Sequence, residues 1–131
     1  MSTPVSHTIE LRVRYVECDP MGYVHHTVYP VWMEMARTEL LRERGIAYAD
    51  LERDGVMIVV ARLNLSYRRP ARYDDLVRIT AALRRTSAAK IEHDYEIHRG
   101  EELLCTASTV LACVDHAGRI QPVPDKLRID A

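Results

Sequence analysis

The sequence predicts an α+β domain in which an antiparallel sheet of about five strands wraps one long central helix, in the order β-α-β-β-β-β. Three observations carry this. Apolar and charged residues alternate strictly near the N-terminus; one stretch has helical spacing between start and stop signals; four later runs carry strand patterning, separated by turn residues.

From Thr8 to Val16, Ile9, Leu11, Val13 and Tyr15 alternate with Glu10, Arg12 and Arg14, the period of a half-buried strand. Asp19-Pro20-Met21-Gly22 then breaks regular structure and reverses the chain. Thr27 is placed to cap a helix, Pro30 falls in its first turn, and Gly45 stops it, so the helix spans Val28 to Arg44. Val28, Val31, Trp32, Met35 and Ala36 recur at three- and four-residue spacing, widened by Tyr29, Met33 and Leu40. Such a face must pack on something large, and a sheet is the partner at hand.

Residues 46–56 connect, with a short helical turn at Tyr48 to Arg53. Strands follow at Met57 to Tyr67, Leu76 to Thr86, Lys90 to Arg99 and Glu102 to Asp115, with a hairpin turn at His98-Arg99-Gly100-Glu101. They are expected to form a meander. The run LLCTASTVLACV is apolar at nearly every position, which predicts a central strand covered on both faces. The tail QPVPDKLRIDA, with two prolines, is expected on the surface.

At 131 residues, 47% hydrophobic and 28% charged, the chain reads as one globular domain over 1–131. Phe is absent, so Tyr, Trp and aliphatic residues fill the interior. A net charge of -1 gives no field favouring nucleic acid, and any anion site must be local. Cys18, Cys105 and Cys113 include no C-x-x-C pair, and the N-terminal stretch lacks a leader's apolar core, which points to the cytoplasm. The longest apolar run, Val56 to Ala61, is far short of the ~20 residues of a membrane span. There is no internal repeat and no phosphate-binding glycine loop.

The stretch YVECDPMGYVHHTVY, Tyr15 to Tyr29, carries the candidate chemistry. Asp19 precedes a helix N-terminus, whose unpaired N–H groups suit an oxyanion. A carbonyl oxygen held near the backbone N–H of His26 would be stabilised there while Asp19 attacked the carbon or drew a proton from water. Gly22 leaves room for a ligand. On the loop's composition alone, Asp19 reads first as a turn former ahead of Pro20. Cys18 with His25 or His26 suggests a thiol nucleophile or a metal site, yet no third orienting group or fourth ligand is evident, and both are set aside. The His26 ring could instead hold the turn, Glu34 and Arg37 could form an ion pair, and Tyr29 is a candidate for either core or ligand.

The run from Tyr15 to Arg37, YVECDPMGYVHHTVYPVWMEMAR, resembles the signature of hotdog-fold acyl-CoA thioesterases of the 4-hydroxybenzoyl-CoA thioesterase type, including those associated with the Tol-Pal system. Asp19, Gly22, Val24, His26, Tyr29, Glu34, Ala36 and Arg37 match its recurring positions, and YRRPARYDDLVRI, Tyr67 to Ile79, is similar to a second stretch. The resemblance implies a hotdog fold and hydrolysis of acyl-CoA, short-chain or aromatic, without metal or organic cofactor. It gives Asp19 the catalytic position and the His26 backbone N–H the oxyanion hole. It implies homodimers, often paired into homotetramers, with sites at the interface and Val56 to Ala61 as a joining edge. One branch of the family uses a helix glutamate, for which Glu34 is available. Coenzyme A phosphates need cations, and Arg68, Arg69, Arg84, Arg85 and Lys90 are candidates, Arg69 and Lys90 foremost. The alternatives are an acyl-carrier-protein thioesterase, an enoyl-thioester hydratase using His93 or His98, and a non-catalytic acyl-CoA-binding subunit.

Overall fold

The alternation that predicts the first strand outlasts the strand itself. In the computed structural model of the protein, which describes residues 5–130, β1 (Ser6–Arg12) ends four residues before the pattern does. Residues 1–4, part of the stretch expected to lack a leader's core, and residue 131 lie outside that range. The Val13 amide still donates to Asp75 O, but Tyr15–Glu17 then tighten into a 3-10 turn. Tyr15 and Val16 are left exposed while Glu17 turns inward, where its carboxylate is fully engaged. A buried acid, not the apolar period, sets the end of this strand.

Helix α1 (Val28–Glu43) matches its predicted bounds to one residue. Gly45, at φ +80, closes it, with the Gly45 amide donating to Arg42 O and the Ile46 amide to Leu41 O. Its buried face is Tyr29, Trp32, Met33, Ala36 and Leu40. Val31 and Met35, expected on that face, are 54% and 46% exposed and form a separate apolar stripe. Helix α2 (Tyr48–Arg53) buries Leu51, and the Tyr48 hydroxyl brackets the start of the next strand through Ile58 N and O.

The remaining strands are β2 (Met57–Tyr67), β3 (Leu76–Thr86), β4 (Ile91–Arg99), β5 (Glu102–Val114) and the short β6 (Ile120–Gln121). The six-stranded antiparallel sheet has the order β1-β3-β4-β5-β2, with β6 beside the end of β5. A simple meander would place β2 next to β3. Instead β2 pairs with β5, from Met57 opposite Val114 to Tyr67 opposite Cys105, and lies at the sheet edge. Alternation specifies which face a side chain takes but not which strand is its neighbour. Residues 68–75 carry the chain from β2 across to β3 and pass the start of α1, because Ala71 O receives the Val24 amide.

Strand β5 is central as predicted, though its two faces differ. Leu104, Cys105, Thr109, Leu111 and Cys113 are buried, whereas the residues between them are half-buried. The tail departs from its surface assignment. Val123 and Leu127 are buried, the Val123 amide donates to Ala88 O, and Ile129 and Asp130 bond the Thr86 hydroxyl. These contacts plug the end of the fold beyond α1. Among the described residues no helix is long and apolar enough to cross a membrane.

Candidate active site

The loop between β1 and α1 is a miniature hairpin. The His25 amide donates to Glu17 O, the Asp19 amide to Tyr23 O and the Gly22 amide to Asp19 O, which folds Asp19–Gly22 into a turn with Pro20 and Met21 at its tip. Gly22 sits at φ +81, a conformation other residues adopt only under strain. Asp19 does make the turn, since its Oδ1 accepts from the amides of Met21 (2.9 Å) and Tyr23 (3.2 Å). Its Oδ2 accepts no hydrogen bond among the described residues. One oxygen therefore serves structure and the other is uncommitted, so the two readings of Asp19 are compatible.

The hairpin's returning strand delivers the chain to α1. His25 O accepts from the Val28 amide (3.0 Å), and in a trans peptide the N–H of His26 points opposite to that carbonyl, away from the helix. The His26 amide has no acceptor among the described residues. On the other side of His26, its carbonyl accepts from the Tyr67 hydroxyl at 2.7 Å. Thr27 stands at the N-cap as predicted, but its side chain does not cap the helix. The Thr27 amide donates to His25 Nδ1, making that nitrogen an acceptor, and the Thr27 hydroxyl lies 2.7 Å from it. The His25 ring thus braces the helix entry, and the His26 ring stacks loosely on it at 4.4 Å.

Beneath the loop lies a residue that sequence reasoning missed. Glu17 is 7% exposed, its Oε1 accepting from the Arg14 amide (2.8 Å) and its Oε2 from the Trp32 indole (3.0 Å) and the Arg14 guanidinium (3.3 Å). Burial raises the Glu17 pKa, but the bonds from the Arg14 amide, the indole and the guanidinium together outweigh it and leave it lowered. The signal available in the sequence was an acid at an inward position of the alternation.

An uncommitted carboxylate and an outward N–H at a helix start are what the resemblance calls for, and the thioesterase-like superfamily model matches residues 13–129. The chain belongs to the thioesterase-like superfamily. YneP of Bacillus subtilis, provisionally named an acyl-CoA thioesterase, is 36% identical over 81% of this chain and 78% of its own. YbgC of Escherichia coli, an acyl-CoA thioester hydrolase, is 32% identical over 80% and 79% respectively. The crystal structure of DHNA-CoA thioesterase from Staphylococcus aureus superposes with a TM-score of 0.84 at 31% identity, covering 90% of this chain and 79% of that one. The sheet and its single main helix are the hotdog fold of these thioesterases.

The other residues singled out in this thioesterase-like chain fall in different places. Tyr29 is 2% exposed, with its hydroxyl accepting from the Ala71 amide and its ring edge-on to Tyr67, so it forms the floor under the loop. Arg69 lies near the loop and pairs with Glu102 at 3.3 Å, while Arg99 ties Pro70, Asp75 and Glu102 together and braces the same connection. Lys90 stands at the opposite end of β4, roughly 30 Å along the strand from Arg99. Cys18 is half-buried, and burial followed by the charges of Glu17 and Asp19 raises its pKa, which keeps the thiol protonated and unreactive.

Further along α1 a cavity of about 400 Å³ is lined by Arg37, Leu41, Arg44, Ile58, His93 and Leu111. A shallower groove with Pro30, Val31 and Leu63 in its walls shares Glu34, Arg37 and Val60 with it. Burial, then the charges of Arg37 and Arg44, push the His93 pKa down to about 3. His93 is therefore neutral at physiological pH, and His98 lies 3.8 Å from the exposed Glu96.

Proposed function

We propose that the protein hydrolyses acyl-CoA thioesters, with Asp19 as nucleophile or general base and the His26 backbone N–H as oxyanion donor. The observation that carries this reading is the pairing of an uncommitted Asp19 Oδ2 with an outward His26 N–H, on two strands of one hydrogen-bonded loop. The thioester carbonyl oxygen rests on the His26 N–H at the positive end of α1. If Asp19 attacks, the C–S bond breaks, the coenzyme leaves as a thiolate that takes a proton from solvent, and water then hydrolyses the anhydride. If Asp19 acts as base, it takes the proton of the attacking water instead. Gly22 keeps the approach clear. Label in the enzyme carboxylate after a single turnover in labelled water identifies the covalent route when water attacks the Asp19 side of the anhydride, and trapping the anhydride with hydroxylamine detects it when water attacks the acyl side.

The apolar groove and cavity along α1 suit the acyl group, and Arg69, whose side chain remains 65% exposed, suits a coenzyme phosphate. Lys90 stands at the far end of β4 from Arg99, so for it to bind a coenzyme phosphate a site shared with a neighbouring copy suits better than one built within a single protomer. A homodimer that can pair into a tetramer fits the exposed Val31 and Met35 on α1 and the open edge of β2. A hydrolysis panel of short, long and aromatic acyl-CoAs, with matched carrier-protein thioesters, tests the assignment on wild type and Asp19→Asn together. Turnover of free acyl-CoA that vanishes with Asp19→Asn supports it; binding without hydrolysis across the panel sinks it.

A further inference from the structure

We infer that Glu17 is a positioning residue of the hydrolytic site, whose buried carboxylate sets the placement of the Asp19 carboxylate relative to the His26 N–H. The inference rests on the roles proposed above for Asp19 and His26. Glu17 holds three parts of the molecule at once. Its side chain joins the end of the first strand, through the Arg14 amide, to the second turn of α1, through the Trp32 indole. Its own carbonyl accepts the His25 amide at 2.9 Å, one residue before the oxyanion donor and two residues from the acid along the chain. Movement of Glu17 therefore displaces both reacting groups.

Packing alone does not call for a carboxylate here. A buried ion is a poor source of stability compared with an apolar side chain of the same volume, and this one adds negative charge two residues from Asp19. What the carboxylate supplies is direction. Both oxygens accept from donors on different elements, so its orientation is fixed by the strand and the helix together. Glutamine has one acceptor oxygen, and its NH2 must face either the Arg14 amide or the Trp32 indole, so one arm of the tether is cut while the volume is kept. Trp32→Phe cuts the other arm from the helix side.

The test uses full-length Glu17→Gln, Trp32→Phe and the double variant, assayed at a temperature where circular dichroism finds each folded, with Asp19→Asn alongside. Each single variant is expected to lose roughly tenfold to a hundredfold in kcat, the scale of an ångström-sized misplacement. KM should stay within about threefold of wild type, as for an interaction expressed only in the transition state. The double variant should lose no more than the worse single one, because both substitutions cut one tether. Wild-type kcat in a folded single variant, a raised KM at unchanged kcat, or losses that multiply would each overturn the inference. If Glu17→Gln does not fold, Trp32→Phe decides alone. An active Asp19→Asn would instead remove the site assignment, whereas an inactive one beside fully active Glu17 and Trp32 variants would remove only the positioning role.

Discussion

The proposed function gives Asp19 a chemical duty beside its observed place in the turn, and two substitutions at this one position pull the two apart. Asparagine keeps a side-chain oxygen for the Met21 and Tyr23 amides, so the turn survives, while Oδ2 becomes an NH2 that neither attacks nor accepts a proton. Alanine removes both. Two hydrogen bonds at about 0.5–1.5 kcal/mol each put the stability loss of Asp19→Ala near 1–3 kcal/mol, since water can replace part of the acceptor in this half-exposed loop. For a chain of 131 residues, 1 kcal/mol moves Tm by about 4 °C, so calorimetry should find Asp19→Ala lower by roughly 4–12 °C and Asp19→Asn within about 2 °C of wild type. Turnover should fall in both by about 10²–10⁴-fold, or roughly 3–5 kcal/mol of barrier. The pattern sought is shared loss of kcat with unshared loss of Tm. Asp19→Asn within tenfold of wild-type kcat would refute the chemical role and leave Asp19 a turn former.

The Tyr67 hydroxyl fixes the His26 carbonyl from the end of β2, and Tyr67→Phe is expected to lower kcat several-fold through a looser His26 peptide. Stability should fall by no more than the ~0.5–1.5 kcal/mol of one partly exposed bond, as read by calorimetry beside steady-state rates. His93 predicts an acid-labile fold. Its native pKa is lowered from 6.5 to about 3, so between those values the unfolded chain binds a proton that the native state refuses, and stability falls as pH drops through that window. The loss is on the order of 5 kcal/mol, and His93→Gln should flatten this part of the urea-midpoint profile against pH. Met35→Glu places a charge on the exposed stripe of α1 and should weaken self-association by roughly tenfold or more in sedimentation equilibrium; an unchanged association constant would remove helix pairing from the dimer.

The elements were legible where one local signal acted alone. Helix α1 was readable because capping, proline and glycine signals agreed with its spacing, and β2 to β5 because turn residues bracket each run. What escaped depends on contacts far apart in sequence. The pairing of β2 with β5 is decided by how residues 68–75 cross the start of α1, and no period within β2 encodes a neighbour. Val31 and Met35 have the same spacing as the core residues, so composition could not tell a face that meets the sheet from one left exposed. Val123, between two prolines, and Leu127, just after them, belong to a run that suggested a surface tail, yet both are buried. In the site, the resemblance singled out Asp19, Gly22 and His26, while the Tyr67 and Glu17 tethers bridge residues from different elements and leave no motif of their own.

The sequence YVECD sets two acids two residues apart, and composition gives no reason to prefer either for chemistry. Their surroundings do. Glu17 is buried with donors on both oxygens, and those donors hold its pKa below the ordinary value despite burial, so it stays ionised with no lone pair well placed for a substrate. Such a carboxylate is a strut. Asp19, on the tip side of the same loop, spends one oxygen on two amides of its own turn and keeps the other free, next to a glycine that leaves the approach open. A nucleophile or base needs an unshared oxygen on a fixed frame, and fixing the frame takes a second acceptor that is wholly used up. On the proposed roles, the division of labour between Glu17 and Asp19 is set by which acid faces the Trp32 indole, and the inward turn after β1 makes that choice.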